Sequence, residues 1–315
     1  MGSRWYSVAV VLLWLVSMGW LLTEKVLPPL LIGEPPNYAT IVNGGRAVVP
    51  PAGWRILLNG ERLGWAVSTI AKQPNETTEI RSLTHFNRLP IEQFIPKWLR
   101  PMVQGGDPAL GKLVMEAESS MLIDALGRLV DFDSAIRVNG QASLVRLRGA
   151  IDGPKLKLTA HFGDRSYDGE IPLKPDAALA DSFAPQMQLP GLRLGQTWTV
   201  SSYSPMNVLS NPVGFVQSQS PLEILHARVE ELTSIVWNGH SEQVWLLVYR
   251  TEAGWGPGHD KNVRNRLWVR RDGVILKQEV VVGDFTVTFA RMPTEEAVTL
   301  LASPTVGKRW ETNPP

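Results

Sequence analysis

Arg264, Arg266, Trp268 and Arg270 alternate along one short stretch, and alternate positions of a strand point to one face. Three guanidinium forks beside an indole suit a phosphate or a carboxylate, the groups of lipid headgroups and acidic glycans. The same row also reads as a solubilising face with arginine stacked on tryptophan. Trp255, in the run Gly254-Trp255-Gly256-Pro257-Gly258-His259, lacks the Lys-Ser/Thr and the following helix of a phosphate cradle. It reads as an indole on a hairpin loop, able to pack, to stack on a sugar or to dip into lipid headgroups. Glu116 with Glu118, and Asp131 with Asp133, have the spacing to share a strand face. Such pairs can raise one pKa for acid/base work or hold a hard cation such as Ca²⁺, and they are also what a solvated outer face produces. The candidate ligand-binding residues are therefore Arg264, Arg266, Trp268, Arg270 and Trp255. No catalytic residue, metal ligand or cofactor is assigned.

Established signatures are missing. The chain has no G-x-S-x-G elbow, Walker loop, HExxH or dinucleotide fingerprint. Its five histidines are scattered singly, without the close pairing of metal sites. Zero cysteines exclude disulfides, thiolate nucleophiles and cysteine metal sites. A balance of 31 basic against 30 acidic residues gives no bulk drive toward nucleic acid. With 44% hydrophobic residues in 315, the chain can bury a sizeable core.

The elements that must position these residues are strands. Asn59-Gly60, Asn139-Gly140, Asn238-Gly239, Asp152-Gly153, Asp168-Gly169 and Asp272-Gly273 are six dipeptides of the kind that two-residue hairpins need. Their flanks alternate: leucines oppose lysines in Lys155 to Ala160, and Phe285, Val287 and Phe289 oppose Asp284, Thr286 and Thr288. Gln243 to Tyr249 is apolar on both faces, which predicts a central or covered strand. Helix signals are confined to Pro90–Met102 and Thr294–Leu301, expected as short covers for a sheet, with Thr294 as N-cap of the second. The hairpins Leu122–Phe132 and Trp268–Gln278, each downstream of a Trp-bearing strand around Trp54 or Trp198, suggest two similar halves.

The N-terminus points to a membrane. Trp5 to Leu22 is an uncharged run of 18 residues, flanked by Trp5, Tyr6 and Trp20 and preceded by Arg4 and the free amine, which predicts a transmembrane helix with its N-terminus inside. A cleaved signal peptide is the rival, but no small-x-small site follows the run. The expected organisation is a membrane anchor over 1–25, a Pro/Gly-rich linker over 26–52, a first β half over 53–180, a second over 181–301 and an unstructured tail over 302–315.

Three stretches carry a resemblance: PGLRLGQTWTVSSYSP (190–205), LEILHARVEELTSIVWNGHSEQVWLLVYRTE (222–252) and RLWVRRDGVILKQEVVVGDFTVTFAR (266–291), with GWRILLNGERLGW (53–65) as an opening hairpin. In its Gly-Gln-x-Trp strand entry and its Leu-Trp-Val-x-x-Asp-Gly-Val-x-Leu hairpin, the chain resembles bacterial, planctomycete-type envelope domains of unknown function. Those domains are similar to the lipoprotein-carrier (LolA-like) half-barrel. The resemblance implies a concave apolar sheet, closed by helices, that holds an acyl chain. It imports no catalytic residue, since the transglutaminase-like partner domain of such proteins needs a Cys that this chain lacks.

The expectation is an all-β protein, mainly antiparallel, as a curved sheet or half-barrel of one or two similar halves, with an N-terminal transmembrane helix and one or two short covering helices. It would be a single-pass protein of the bacterial inner membrane with its bulk extracytoplasmic. Its partners would be the membrane, a lipid or acidic glycan, or an envelope protein, and no nucleic acid. The alternatives are an extracytoplasmic hydrolase or glycan-active enzyme using a carboxylate pair, and a scaffold displaying a sheet edge.

Overall fold

The computed structural model describes residues 3–22, 49–87, 114–125, 128–140, 145–172, 179–181, 185–203, 222–251, 262–282, 285–304 and 306. Expectations for the 90–102 helix, the 26–48 linker, the Trp255 loop and the last residues of the tail lie outside them.

Among the described residues fifteen strands form one sheet. They are β1 (Ala52–Leu58), β2 (Glu61–Lys72), β3 (Thr78–Phe86), β4 (Met115–Ile123), β5 (Leu129–Val138), β6 (Val145–Asp152), β7 (Lys155–Phe162), β8 (Arg165–Pro172), β9 (Leu179–Asp181), β10 (Thr197–Tyr203), β11 (Leu222–Trp237), β12 (His240–Arg250), β13 (Val263–Arg270), β14 (Ile275–Val282) and β15 (Phe285–Arg291). The order is β8-β7-β6-β5-β4-β3-β2-β1-β15-β14-β13-β12-β11-β10-β9. All neighbours are antiparallel except β9 with β10. The chain enters mid-sheet at β1, meanders out to β8, and returns from the far edge to close against β1 through β15, with Trp54 opposite Arg291.

That connectivity forces curvature. The edge strands β8 and β9 are separated by only residues 173–178, so Pro172 and Leu179 lie within about 25 Å at an extended rise of about 3.6 Å per residue. A flat sheet of this order would hold its edges about 67 Å apart at about 4.8 Å per strand. The sheet therefore rolls up until its edges approach, giving an inner and an outer face.

The inner face is the core. Trp54, Ile56, Phe289, Val287, Leu267, Val269, Leu247, Tyr249, Val229 and Ala227 form one buried cluster across the centre and the β10–β15 wing. The segment before β10 plugs this wing with Met187, Leu189 and Leu192. Backbone bonds from Leu189 N–H to the Gly273 carbonyl (2.7 Å) and from Ile275 N–H to the Met187 carbonyl (3.3 Å) pin it, and the Gln278 Oε1 accepts the Gln186 N–H at 3.1 Å. Gly273 permits that approach: its φ is +87°, and a Cβ there would fall 2.7 Å from Pro190 Cα. Phe132, Leu147, Leu156, Leu158 and Ala160 make a separate cluster in the β1–β8 wing, edged by the partly buried Met121, Leu129 and Ile151.

The turn chemistry worked where both residues needed positive φ. Asn59-Gly60, Asn139-Gly140 and Asn238-Gly239 have φ between 50° and 88°, as type I′ turns require. Gly153 and Gly273 supply the positive φ of two more turns. Asp168-Gly169 is a correction: it lies inside β8, and the β7–β8 turn is made at Gly163, φ +57°. The sheet is one, with both hairpins of the suggested repeat embedded in it. β12 is interior, with Leu247 and Tyr249 buried on one face and Val244 and Val248 on the other.

Two helices are described. α1 (Ser3–Leu21) has 19 residues, apolar at nearly every position, and its side chains from Ser7 to Leu22 are exposed. At about 1.5 Å per residue it measures about 28 Å, short of a hydrocarbon core of about 30 Å. Among the described residues no helix is long and apolar enough to cross a membrane, so the expected transmembrane helix is not met. α2 (Thr294–Leu301) covers the outer side of β1 and β2 as expected. A Cβ on Gly53 would lie 2.9 Å from Ala297 Cβ, and Arg55 pairs with Glu296 at 2.5 Å. Its N-cap is Pro293, without a side-chain cap bond, and Thr294 is the first helical residue. Ordered chain continues past the expected start of the tail at Ala302, because Val306 is buried against Val67 and Leu83.

Candidate functional site

The register turns the outer face of the sheet into two charged fields. On β13, Arg266, Trp268 and Arg270 sit opposite Val248, Leu246 and Val244 of β12, so the alternation does place them on one face. Arg264 falls at a register irregularity between Val263 and Asn265. Each arginine has a carboxylate. Arg264 Nε meets Glu223 at 3.1 Å, Arg270 makes two bonds to Asp272, at 2.8 and 3.1 Å, and Arg266 lies 3.6 Å from Glu279. The indole of Trp268 is covered by Lys277, whose Nζ is 4.2 Å from the ring centroid. Burial works against the Asp272 carboxylate, but bonds from Arg270 and the Val274 N–H hold it below the usual carboxylate range.

Two arginines on neighbouring strands, which the sequence pattern did not single out, join this field: Arg228 on β11 and Arg250 on β12. Both carry the outward parity of their strands. What hid them is that their neighbourhood depends on the β11–β12–β13 register, which no local pattern encodes.

At the seam between the wings, the half-buried Arg291 lies over the Trp54 ring at 5.4 Å. Its Nη1 donates to the carbonyls of Met187 at 3.1 Å and Ile275 at 3.3 Å. Burial, with Arg270 nearby, pushes its pKa down to about 10, Asp272 opposing. It remains a cation at neutral pH, and its bonds tie the plug to the sheet.

The outer face of β3–β6 is the carboxylate field. Glu116 and Glu118 share one face, as do Asp131 and Asp133, but three of the four meet basic side chains across the strands. Glu116 meets His85 Nδ1 at 3.3 Å, Glu118 meets Arg137 at 2.7 Å, and Asp133 meets Arg146 at 2.5 Å and Arg148 at 3.1 Å. Asp131 makes no ion pair among the described residues. It faces a cleft of about 420 Å³ lined by Gln73, Asn75, Thr77, Glu79, Ser120 and Leu122 among others. Glu79, absent from the sequence pairs, is fixed there by donors from Gln73 at 2.8 Å, Arg81 at 2.5 Å and Ser120 at 2.9 Å. Partial burial, and then the charges of Glu79 and Asp133, raise the pKa of Asp131. Asp131 thus gives up its proton less readily than a free aspartate, beside a carboxylate that three donors fix in place. Among the described residues no group of three or more His, Asp or Glu is placed to hold a metal ion.

No family model matches the chain, and no curated protein matches it. Among solved structures it is similar to a β-barrel-like protein of a domain of unknown function, DUF1849, from Brucella abortus. The identity is 12%, over 78% of this chain and 96% of that one, with a TM-score of 0.45. A likeness that loose carries no argument about function, and the lipoprotein-carrier and planctomycete resemblance gains no support from it.

Proposed function

We propose that the chain is an extracytoplasmic β-sheet protein, held at the bacterial inner membrane by α1, whose rolled sheet binds an amphipathic ligand. The observation that carries this is α1 itself: uncharged from Trp5 to Leu22 and exposed along its described side chains, it leaves a surface of Val, Leu and Trp that water disfavours. A helix about 28 Å long is accommodated by local thinning of the bilayer at modest cost. Arg4 before the run favours an inside N-terminus. The ligand would lie along the inner face of β4–β7, where Met121, Leu129 and Ile151 are only partly buried beside the Phe132 cluster. The β10–β15 wing is instead filled by its own plug. The sets β1–β8 and β10–β15 cross the sheet in the same sense, each opening on a buried tryptophan, Trp54 or Trp198, which supports two related halves.

Flotation of the full chain with liposomes tests the attachment. Wild type floats, and Leu13→Lys with Val16→Lys stays in the dense fraction. A wild-type chain that stays there too contradicts the attachment.

The cleft at Asp131 favours a second reading, a carboxylate-dependent glycan-active enzyme. Asp131 would be the proton donor and Glu79 the fixed carboxylate. Hydrolysis of envelope glycans that is lost in Asp131→Asn and Glu79→Gln, with folding retained, would support it over pure binding.

A further inference from the structure

We propose, on the reading above that the inner face binds an amphipathic ligand, that this ligand is a long-chain carboxylic acid whose head group is taken by Arg291 and Trp54 at the seam between the wings. The two residues stand opposite each other in the β1–β15 register, on the inward face with Ile56, Val287 and Phe289. The Arg291 guanidinium is only half used. Its Nη1 donates to the Met187 and Ile275 carbonyls at 3.1 and 3.3 Å, while Nε and Nη2 make no hydrogen bond among the described residues. That remaining edge presents the pair of N–H groups that matches the two oxygens of a carboxylate. Arg291 has no ion pair among the described residues, and Asp272, the acid that acts on it, is bound twice by Arg270. Beside it the Trp54 Nε1 is buried without an acceptor, in a residue that is 0% exposed. Buried indole N–H groups usually find a partner, so a ligand oxygen here would meet a third donor.

From this head site the inner face leads to the partly buried apolar end. The register sets Ala66, Thr84 and Ala117 in line with Trp54 across β2, β3 and β4, and Ser68, Ser82 and Ser119 in the next row. No side chain in these two rows is larger than threonine, so no bulky group stands between Trp54 and Met121, which lies two residues beyond Ser119. Three strand spacings and four residues separate Trp54 from Met121, about 20 Å on a flat sheet and less on a rolled one. An extended palmitate is about this long. The path is neutral: Ser68 and Ser82 bond each other at 3.0 Å, and of its residues Arg291 alone carries charge. A carboxylate, with one charge and two oxygens, fits one cation and its fork, whereas a phosphate brings more oxygens and charge than the site answers. A bound carboxylate would also offset the burial that lowers the Arg291 pKa to about 10.

Native mass spectrometry of the full chain in nonionic detergent, titrated with palmitate and with hexadecanol, separates head from tail, because the two share a chain and differ in the head group. Wild type should bind palmitate at least about tenfold more tightly than hexadecanol. Arg291→Gln should bring the two affinities to within about twofold of each other by weakening palmitate, and Arg55→Gln, on an exposed pair of the outer face, should keep the preference. Trp54→Phe keeps the ring and removes the N–H, so it should weaken palmitate several-fold, and it carries the test if Arg291→Gln does not fold. Equal binding of palmitate and hexadecanol by wild type, a preference that survives both variants, or hexadecyl phosphate binding more tightly than palmitate overturns the carboxylate site and leaves the interior ligand standing. No binding of palmitate, hexadecanol or hexadecyl phosphate removes the interior ligand and the carboxylate site with it.

Discussion

The outer faces of the two wings are built from the same sequence device, charged residues two apart on a strand, yet they end differently. On β3–β6, Glu79, Glu116, Glu118 and Asp133 each meet a basic side chain on their own or a neighbouring strand, whereas Asp131 makes no ion pair among the described residues and sits beside a cleft. On β11–β14 the row is of basic groups, with Arg250 on Glu230 and with Arg266 and Lys277 both on Glu279. Alternation decides only which face a charge occupies. Which partner it meets across the strands is decided by register.

The largest test strikes the seam that both wings share. Trp54 is fully buried, so Trp54→Ala should cost about 3–5 kcal/mol. Because β1 pairs with β15 in one sheet, calorimetry should show both wings melting in a single transition, and two separated transitions would show independent halves. Gly64→Ala places its strain in the acidic wing. Its Cβ would fall 1.9 Å from the His85 carbonyl, forcing β2 from β3 at a cost of about 2–3 kcal/mol, and the stacking of His85 on Trp65 at 5.2 Å should be lost from the near-UV circular dichroism.

Smaller changes sharpen the contrast between paired and unpaired carboxylates. Asp133→Asn leaves Arg146 and Arg148 without their shared partner and should cost about 1 kcal/mol in a urea titration. Asp272 and Asp131 should respond to pH with opposite signs. The Asp272 pKa is lowered in the fold, so its contribution is present above the unfolded pKa and lost as pH falls through the folded one. Asp272→Asn should therefore be less stable than wild type at pH 7, with the gap closing as pH falls below the ordinary carboxylate range. The Asp131 pKa is raised, so its contribution is present below the unfolded pKa and lost as pH rises through the folded one. Asp131→Asn should melt slightly higher than wild type at pH 7, by about 1–2 °C at most for so exposed a group, and match it at pH 3.

Features that depend on a few neighbouring residues were legible in the sequence. The three Asn-Gly turns, the alternation of Leu156 and Leu158 with Lys155 and Lys157, and the apolar strand Gln243–Tyr249 all appear as expected. Asp168-Gly169 misled because a strand tolerates an Asp-Gly step when Gly163, five residues earlier, already supplies the turn. Thr294 misled because Pro293, with a fixed φ of −53° and an extended ψ, already begins the helix. The pairing of β1 with β15 joins residues more than 200 apart, and no local signal encodes it. The placement of Arg228, Arg250 and Glu79 was hidden for the same reason. The row from Arg264 to Arg270 was visible, but the carboxylates that occupy its two ends come from another strand and from a turn.

The most direct test of the binding reading is native mass spectrometry with lipid extraction on the full chain, purified in detergent from an envelope-bearing bacterial host. The account predicts one amphipathic molecule per chain, lost when Met121 or Ile151 is changed to Asp while the fold is kept. A chain that carries no such molecule, or that retains it unchanged in both variants, contradicts a ligand on the inner face of β4–β7.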